Sequence, residues 1–207
     1  GGVIFPNPNA PTSIYEDLEF VEDIIRHNQD VIVIVDEAYI DFAGESALSL
    51  LDKYDNLIIT QTFSKARSMA GMRIGYAIAS PLLIKYLNDA KYSFNSYTMN
   101  KTSLVYGVEA VKDKEYFAET TRKIVETRDW AEEEFKKLGF VFPKPSANFI
   151  FVSHPEYDAK ELFEAMKAKG IYVRFWGSER IEQYLRVTIG TREEMEALFA
   201  FLREYMK

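Results

Sequence analysis

The sequence contains no cysteine. Disulfides, thiol nucleophiles and cysteine-ligated metals are thereby excluded. Histidine is almost as scarce, with only His27 and His154, too few to build a histidine metal centre. Positive charge is in the minority: 25 Lys and Arg stand against 32 Asp and Glu, for a net charge of −7. That balance argues against a broad nucleic-acid footprint, so no nucleic-acid partner is expected. No apolar run approaches the ~20 residues of a membrane span, and no secretory signal is visible. No membrane partner is expected either, and a reducing cytoplasm is the default location. An initiator Met is missing as well. The chain opens Gly1-Gly2-Val3-Ile4-Phe5, straight into what reads as a buried strand. A fragment of a longer protein is therefore the expectation.

What is present is an ordinary globular composition. Apolar residues make up 47% of 207 residues, enough for a core without metal or disulfide staples. Val3 to Phe5 reads as a strand, and the Pro- and Asn-rich stretch 6–12 as a loop of fixed shape. Ser13 with Glu16 has the spacing of a capping box, opening a helix to about His27. Val31 to Val35 is an unbroken β-branched run, the pattern of a strand buried on both faces in a parallel sheet. Leu57 to Thr60 and Ile74 to Ala79 are further strands, and Ser80-Pro81 caps a helix through about Tyr92.

From about Thr98 the texture changes. Thr98 to Val111 reads as helix, and Lys114 to Leu138 as a long charged amphipathic helix ended by Gly139. Asn148 to Val152, Ile171 to Arg174 and Tyr184 to Thr188 read as strands. Helices open at Asp158, with Glu161 three residues on, and at Thr191, with Glu194 three residues on. The expected fold is α/β: a partial large domain over 1–118, with a mostly parallel sheet and flanking helices, then a small α+β domain over 119–207. The boundary falls within the long helix.

Ligands of open α/β sheets sit beyond the carboxyl ends of the strands. There the sequence delivers Asp36-Glu37-Ala38-Tyr39 after one apolar run and Gln61-Thr62-Phe63-Ser64-Lys65 after the next. Taken singly, Asp36 reads as a cap or an ion pair, Lys65 as a solvated loop lysine and Arg73 as a surface arginine. Taken together they combine an imine-forming lysine with an acid, hydroxyls and an arginine. That set suits a phosphorylated aldehyde cofactor with a basic ring nitrogen.

Three blocks carry a resemblance: Asp36-Glu37-Ala38-Tyr39, Thr62-Phe63-Ser64-Lys65-Ala66 and Ala70-Gly71-Met72-Arg73-Ile74-Gly75-Tyr76. They resemble the core of the fold-type I PLP-dependent aminotransferases. Together with Asn7-Pro8-Asn9-Ala10-Pro11-Thr12 and Arg186-Val187-Thr188-Ile189-Gly190-Thr191-Arg192, they resemble more narrowly the histidinol-phosphate aminotransferase family. The resemblance implies pyridoxal 5′-phosphate held covalently by Lys65, which also moves the substrate proton. It implies Asp36 on the pyridinium N–H and Tyr39 on the ring hydroxyl. Thr62, Ser64 and Arg73 are implied at the cofactor phosphate, Arg73 as a fixed cation of fork geometry. Two positions depart from the family pattern. Ala10 stands where an Asn commonly contacts the ring hydroxyl, which makes Asn9 the candidate, and Ser13 stands where Gly is usual.

For the substrate, the resemblance implies Arg186 with Arg174 as a second clamp on a phosphate, and Asn148 as a further contact. An arginine inside the apolar strand around 186 is costly unless it meets an anion. The implied reaction exchanges the amino group of histidinol phosphate with 2-oxoglutarate, in histidine biosynthesis. The alternatives are an aromatic aminotransferase or an amino-acid-phosphate decarboxylase on the same fold, or a fragment without activity of its own. A homodimer is implied because sites in this family are shared between subunits. No metal ligand set is expected.

Overall fold

The computed structural model describes residues 1–97 and 99–207. Thr98, the expected start of a helix, lies outside the described residues. The chain divides into two compact units. The first comprises Gly1–Asn9 and Tyr15–Thr120; the second comprises Ala10–Ile14 and Thr121–Lys207.

In the first unit, four strands form one sheet in sequence order: β1 (Gly2–Pro6), β2 (Ile32–Asp36), β3 (Leu57–Thr62) and β4 (Gly75–Ala79). β1, β2 and β3 run parallel, and β4 returns antiparallel to β3. The helix α1 (Leu18–Arg26) connects β1 to β2 and buries Val21 and Ile25, one turn apart, against the sheet. On the strand side the same core takes Val33, Val35, Leu57 and Ile59. Each such buried aliphatic contributes roughly 1.5–3 kcal/mol.

The alternate residues of β1 and β2 fare differently. Ile4 is 71% and Ile32 41% exposed. The unbroken apolar run of β2 is thus buried on one face only, contrary to the expectation. The reason is that α1 and the turn at residues 47–50 pack on the Val33/Val35 side alone.

α1 does not begin at Ser13. Its N-cap is Asp17, whose carboxylate accepts from Phe20 N at 2.9 Å. The Ser13–Glu16 pair cannot form a cap because both partners are engaged elsewhere. Glu16 N donates to Asn7 Oδ1 at 2.9 Å, and the Ser13 hydroxyl is buried in the second unit. α2 (Pro81–Phe94) begins with Pro as expected, but the Ser80 hydroxyl donates to Asp55 O at 3.2 Å instead of capping it. α3 (Lys101–Lys112) is capped by Asn100, whose side chain accepts from Ser103 N. It therefore starts later than the texture at Thr98 suggested. α4 (Lys114–Lys137) follows at once and runs through the unit boundary at Thr120/Thr121.

In the second unit, β5 (Phe149–Val152), β6 (Arg174–Phe175) and β7 (Leu185–Thr188) form an antiparallel sheet in the order β5-β7-β6. Ile150, Val152, Leu185 and Val187 face a core shared with α4, α5 (Ala159–Ala168) and α6 (Arg192–Tyr205). Phe135 sits at its centre, edge-on to Phe140 at 5.2 Å and to Phe199 at 4.8 Å.

α4 stops at Gly139, which has φ +82; a Cβ there would lie 3.0 Å from the His154 ring. α6 opens with the expected reciprocal capping box of Thr191 and Glu194. The strand expected over Ile171–Arg174 is shorter and later. Ile171 N still bonds Met166 O, closing the end of α5, so pairing begins only at Arg174. Among the described residues no helix is long and apolar enough to cross a membrane.

Candidate active site

The carboxyl ends of β1, β2 and β3 lie level: Pro6 pairs with Asp36, and Asp36 with Thr60. Asp36 is half-buried there. Its Oδ1 accepts from Ala38 N at 3.2 Å and from Thr60 Oγ1 at 3.3 Å. Its Oδ2 takes no hydrogen bond among the described residues. The chain after β1 is tied to the same point, because Asn7 N donates to Asp36 O at 2.9 Å. Buried Asn7 also holds both the N–H and the C=O of Glu16 at 2.9 Å, which fixes the shape of the loop carrying Asn9.

The segment after Asp36 is anchored by Glu37. This carboxylate is 2% exposed. It accepts from Ala47 N at 2.7 Å, from Ser46 Oγ at 2.6 Å and from Gln61 Nε2 at 2.8 Å. Gln61 is held in turn by the Tyr76 hydroxyl at 2.6 Å. Partial burial first, then the nearby Asp41 carboxylate, push the Tyr76 phenol up, so it stays a donor. The Glu37 network clamps residues 36–47 onto β3. In that clamped segment Tyr39 lies buried beneath Lys65, whose Nζ is 5.0 Å from the ring centroid.

Lys65 sits in the turn after β3. Ser68 N closes on Lys65 O and Met69 N on Phe63 O, both at 3.0 Å. Phe63 N bonds Ile74 O at 3.1 Å, which brings Arg73 alongside. Thr62 Oγ1 lies 3.0 Å from Ser64 Oγ and accepts from Ser64 N at 3.1 Å, and the Thr62 hydroxyl is also 3.2 Å from Ile74 O. Arg73 has left-handed backbone (φ 57), is exposed, and donates from Nη1 to Ala70 O at 2.9 Å. The first unit thus carries Asp36, Tyr39, Thr62, Ser64, Lys65 and Arg73 on the carboxyl ends of β2 and β3 and on the turn that follows. Asn9, partly buried, lies in the loop after β1. A cavity of about 290 Å³ on the α3 and α4 side of that turn is lined by Arg67, Tyr106, Glu109, Asp113 and Phe117 among others, and by none of the candidate residues.

The second unit carries the candidate anion contacts. Arg186 on β7 is the register partner of Arg174 on β6 and of Phe151 on β5. All three therefore share the face turned away from the helices. Neither arginine forms an ion pair among the described residues, and Arg186 Nε is buried without a partner. Asn148 is partly buried at the start of β5, and its C=O accepts from Ile189 N at 2.9 Å. Its side-chain amide makes no hydrogen bond among the described residues.

Three residues with work to do here were not candidates from the sequence. Glu37 stood inside a quoted block, and its position directly after the apolar run was the available signal. Trp176 stands two residues after Arg174, just past the end of β6, with its ring centroid 5.4 Å from the Arg174 guanidinium carbon. Ser13 was read as a helix cap. It is instead wholly buried at φ 66, and its hydroxyl accepts from Ser146 N at 3.0 Å and from Ala147 N at 2.7 Å, just before Asn148.

The first unit sets Lys65 over the Tyr39 ring, on the turn after β3, and β3 pairs in parallel with the strand that ends in Asp36. The sequence profile described as Aminotransferase class I and II matches residues 1–202. The chain belongs to that family. It is 49% identical over 207 residues to a histidinol-phosphate aminotransferase of Brachyspira hyodysenteriae, covering 100% of this chain and 58% of that protein. It is 48% identical over 196 residues to the histidinol-phosphate aminotransferase of Clostridium botulinum, covering 95% of this chain and 55% of the other. A crystal structure of histidinol-phosphate aminotransferase from Sinorhizobium meliloti in complex with pyridoxal-5′-phosphate superposes with a TM-score of 0.86 at 28% identity, over 99% of this chain and 56% of that one. The chain thus spans between 55% and 58% of the length of these three proteins.

Proposed function

We propose that this chain carries the lysine-bearing part of a pyridoxal-phosphate-dependent aminotransferase. In this reading it exchanges the amino group of histidinol phosphate with 2-oxoglutarate in the cytoplasm, for histidine biosynthesis, as a homodimer. The observation that carries the reading is Lys65 Nζ above the Tyr39 ring, 5.0 Å from its centroid. It stands in the turn after β3, while Asp36, at the end of the adjacent β2, keeps one carboxylate oxygen open.

The donor set fits the cofactor. Asp36 would hold the ring N–H through its open carboxylate oxygen, while Thr60 and Ala38 hold Oδ1 and so orient the carboxylate. Pyridoxal phosphate, when bound, supplies a protonated ring that draws electrons from the substrate carbon losing its proton. Lys65 is the group that takes this proton and returns it, on a flexible stem whose reach is set by the closed turn 63–69. Tyr39 and Asn9 address the ring hydroxyl. Thr62, Ser64 and Arg73 address the phosphate, with hydroxyls and a fixed cation on one turn.

Arg174 and Arg186 hold the substrate phosphate, and Asn148 offers an unused amide to the same ligand. Two cations with no carboxylate partner suit a dianion better than a single carboxylate.

The test is titration of the 207-residue chain with pyridoxal phosphate, followed by absorbance at the visible edge. A saturable band is expected in the wild type and none in Lys65→Ala. A band that survives Lys65→Ala overturns the assignment of the lysine. Faster turnover of phenylalanine than of histidinol phosphate overturns the assignment of the substrate.

A further inference from the structure

The outer face of the second unit's sheet sets two like charges directly opposite each other. Arg174 and Arg186 are register partners on neighbouring strands, an arrangement that is destabilising by itself. No acid relieves it among the described residues. Both do lie over one aromatic ring. The Arg174 and Arg186 guanidinium carbons are each 5.4 Å from the Trp176 ring centroid, within the roughly 6 Å range of cation–π attraction. Arg186 also lies 5.0 Å from the Phe149 ring. The indole is itself supported. Phe151 meets it edge-on at 6.2 Å and stacks on Tyr184 at 4.6 Å and 10°.

We propose that Trp176 is the positioning residue of this arginine pair. Its ring attracts both guanidiniums, offsets their mutual repulsion and keeps the two cations at one indole, where a doubly charged phosphate can meet them together. Both cations are then in place before the anion arrives, so binding does not have to order two long side chains. An aliphatic residue at 176 fills space but has no π face, and the two cations drift apart.

This inference rests on the reading of Arg174 and Arg186 as an anion clamp, and one experiment separates the two. Inorganic phosphate is titrated calorimetrically into the 207-residue chain carrying Arg73→Ala, which removes the cation assigned to the cofactor phosphate and serves as the wild-type reference, and into Trp176→Leu and Trp176→Phe in that same background. The wild type is expected to bind saturably. Trp176→Leu should bind about tenfold more weakly, from the loss of two cation–π contacts, and Trp176→Phe within about threefold of the wild type, because a weaker ring face remains. A spectroscopic check uses a Trp130→Phe background, in which Trp176 is the only tryptophan and its emission should respond to phosphate. No phosphate binding by the wild type overturns the clamp reading and the inference with it. Unchanged binding by Trp176→Leu overturns the inference alone. Equal weakening in the Phe and Leu variants, with unchanged thermal midpoints, also overturns it, because the π face would then be irrelevant.

Discussion

Replacing Glu37 by Ala removes the acceptor of three donors at once: Ala47 N, Ser46 Oγ and Gln61 Nε2. Hydrogen bonds to a charged group each contribute about 1.5–3 kcal/mol net. Against that loss stands relief from burying a carboxylate whose bonded partners include no cation. Ser46 can turn its hydroxyl to water, whereas the Ala47 amide is buried and cannot. The balance comes to about 3 kcal/mol of destabilisation, a large share of the 5–15 kcal/mol that holds a typical domain.

Glu37→Gln should cost far less, about 1 kcal/mol. Its amide oxygen still serves Ala47 N. Its NH2 can donate to Ser46 Oγ, which rotates, and to Gln61, whose amide flips while the Tyr76 hydroxyl becomes the acceptor. The assay is urea denaturation followed by far-UV circular dichroism, with hydrogen exchange on peptides spanning 37–50 as the local readout. The midpoint should fall steeply for Ala and slightly for Gln, and protection at Ala47 should collapse only in Ala. If Glu37→Ala stays within about 0.5 kcal/mol of the wild type, or Gln is as damaging as Ala, the clamp argument is wrong.

The other predictions are local. Ser13→Ala keeps the left-handed backbone but loses the acceptor of Ser146 N and Ala147 N, so it should destabilise by about 2 kcal/mol. Ser13→Gly loses the same bonds but relieves the positive φ, so its melting midpoint should lie above that of the Ala variant. Glu134 on α4 is held below the ordinary carboxylate range by its hydrogen bond to Lys137 and by Arg203 on α6. A depressed carboxylate stabilises the fold above its unfolded value and loses that contribution as the pH falls through the folded one. The gap in thermal midpoint between wild type and Glu134→Gln should therefore be open at neutral pH and close on acidification below about pH 4. A constant gap across that range would show that the ion pairs contribute nothing.

What could be read from the sequence divides by the range of the interaction. Thr191 and Glu194 satisfy each other within one turn, so their spacing alone specifies the cap. Gly139 ends α4 for an equally local reason, its positive φ. Ser13 and Glu16 have the same spacing as Thr191 and Glu194 and yet form no cap, because partners 133 and 134 residues away take the Ser13 hydroxyl and Asn7 takes the Glu16 amide. No local pattern carries that information.

The same limit hid Glu37, whose donors lie 9, 10 and 24 residues on. Strand ends are easier. An acid just after an apolar run has only the carboxyl edge of the sheet to occupy, which is why the place of Asp36 in the fold was legible, and Lys65 follows the end of β3 by three residues.

Trp176 is an intermediate case. Arg174 and Trp176 are close in the chain, but β6 ends at Phe175, so strand parity does not specify their contact. The pairing that makes the neighbourhood matter is not in the parity. It comes from the β6–β7 register, which sets Arg186 opposite Arg174 and turns one arginine beside a ring into two arginines around it. A shift of one residue in that register would send Arg186 to the core face and leave Arg174 alone on the indole. The pairing of two arginines with one indole is therefore a property of the hydrogen-bonded ladder as much as of the three side chains.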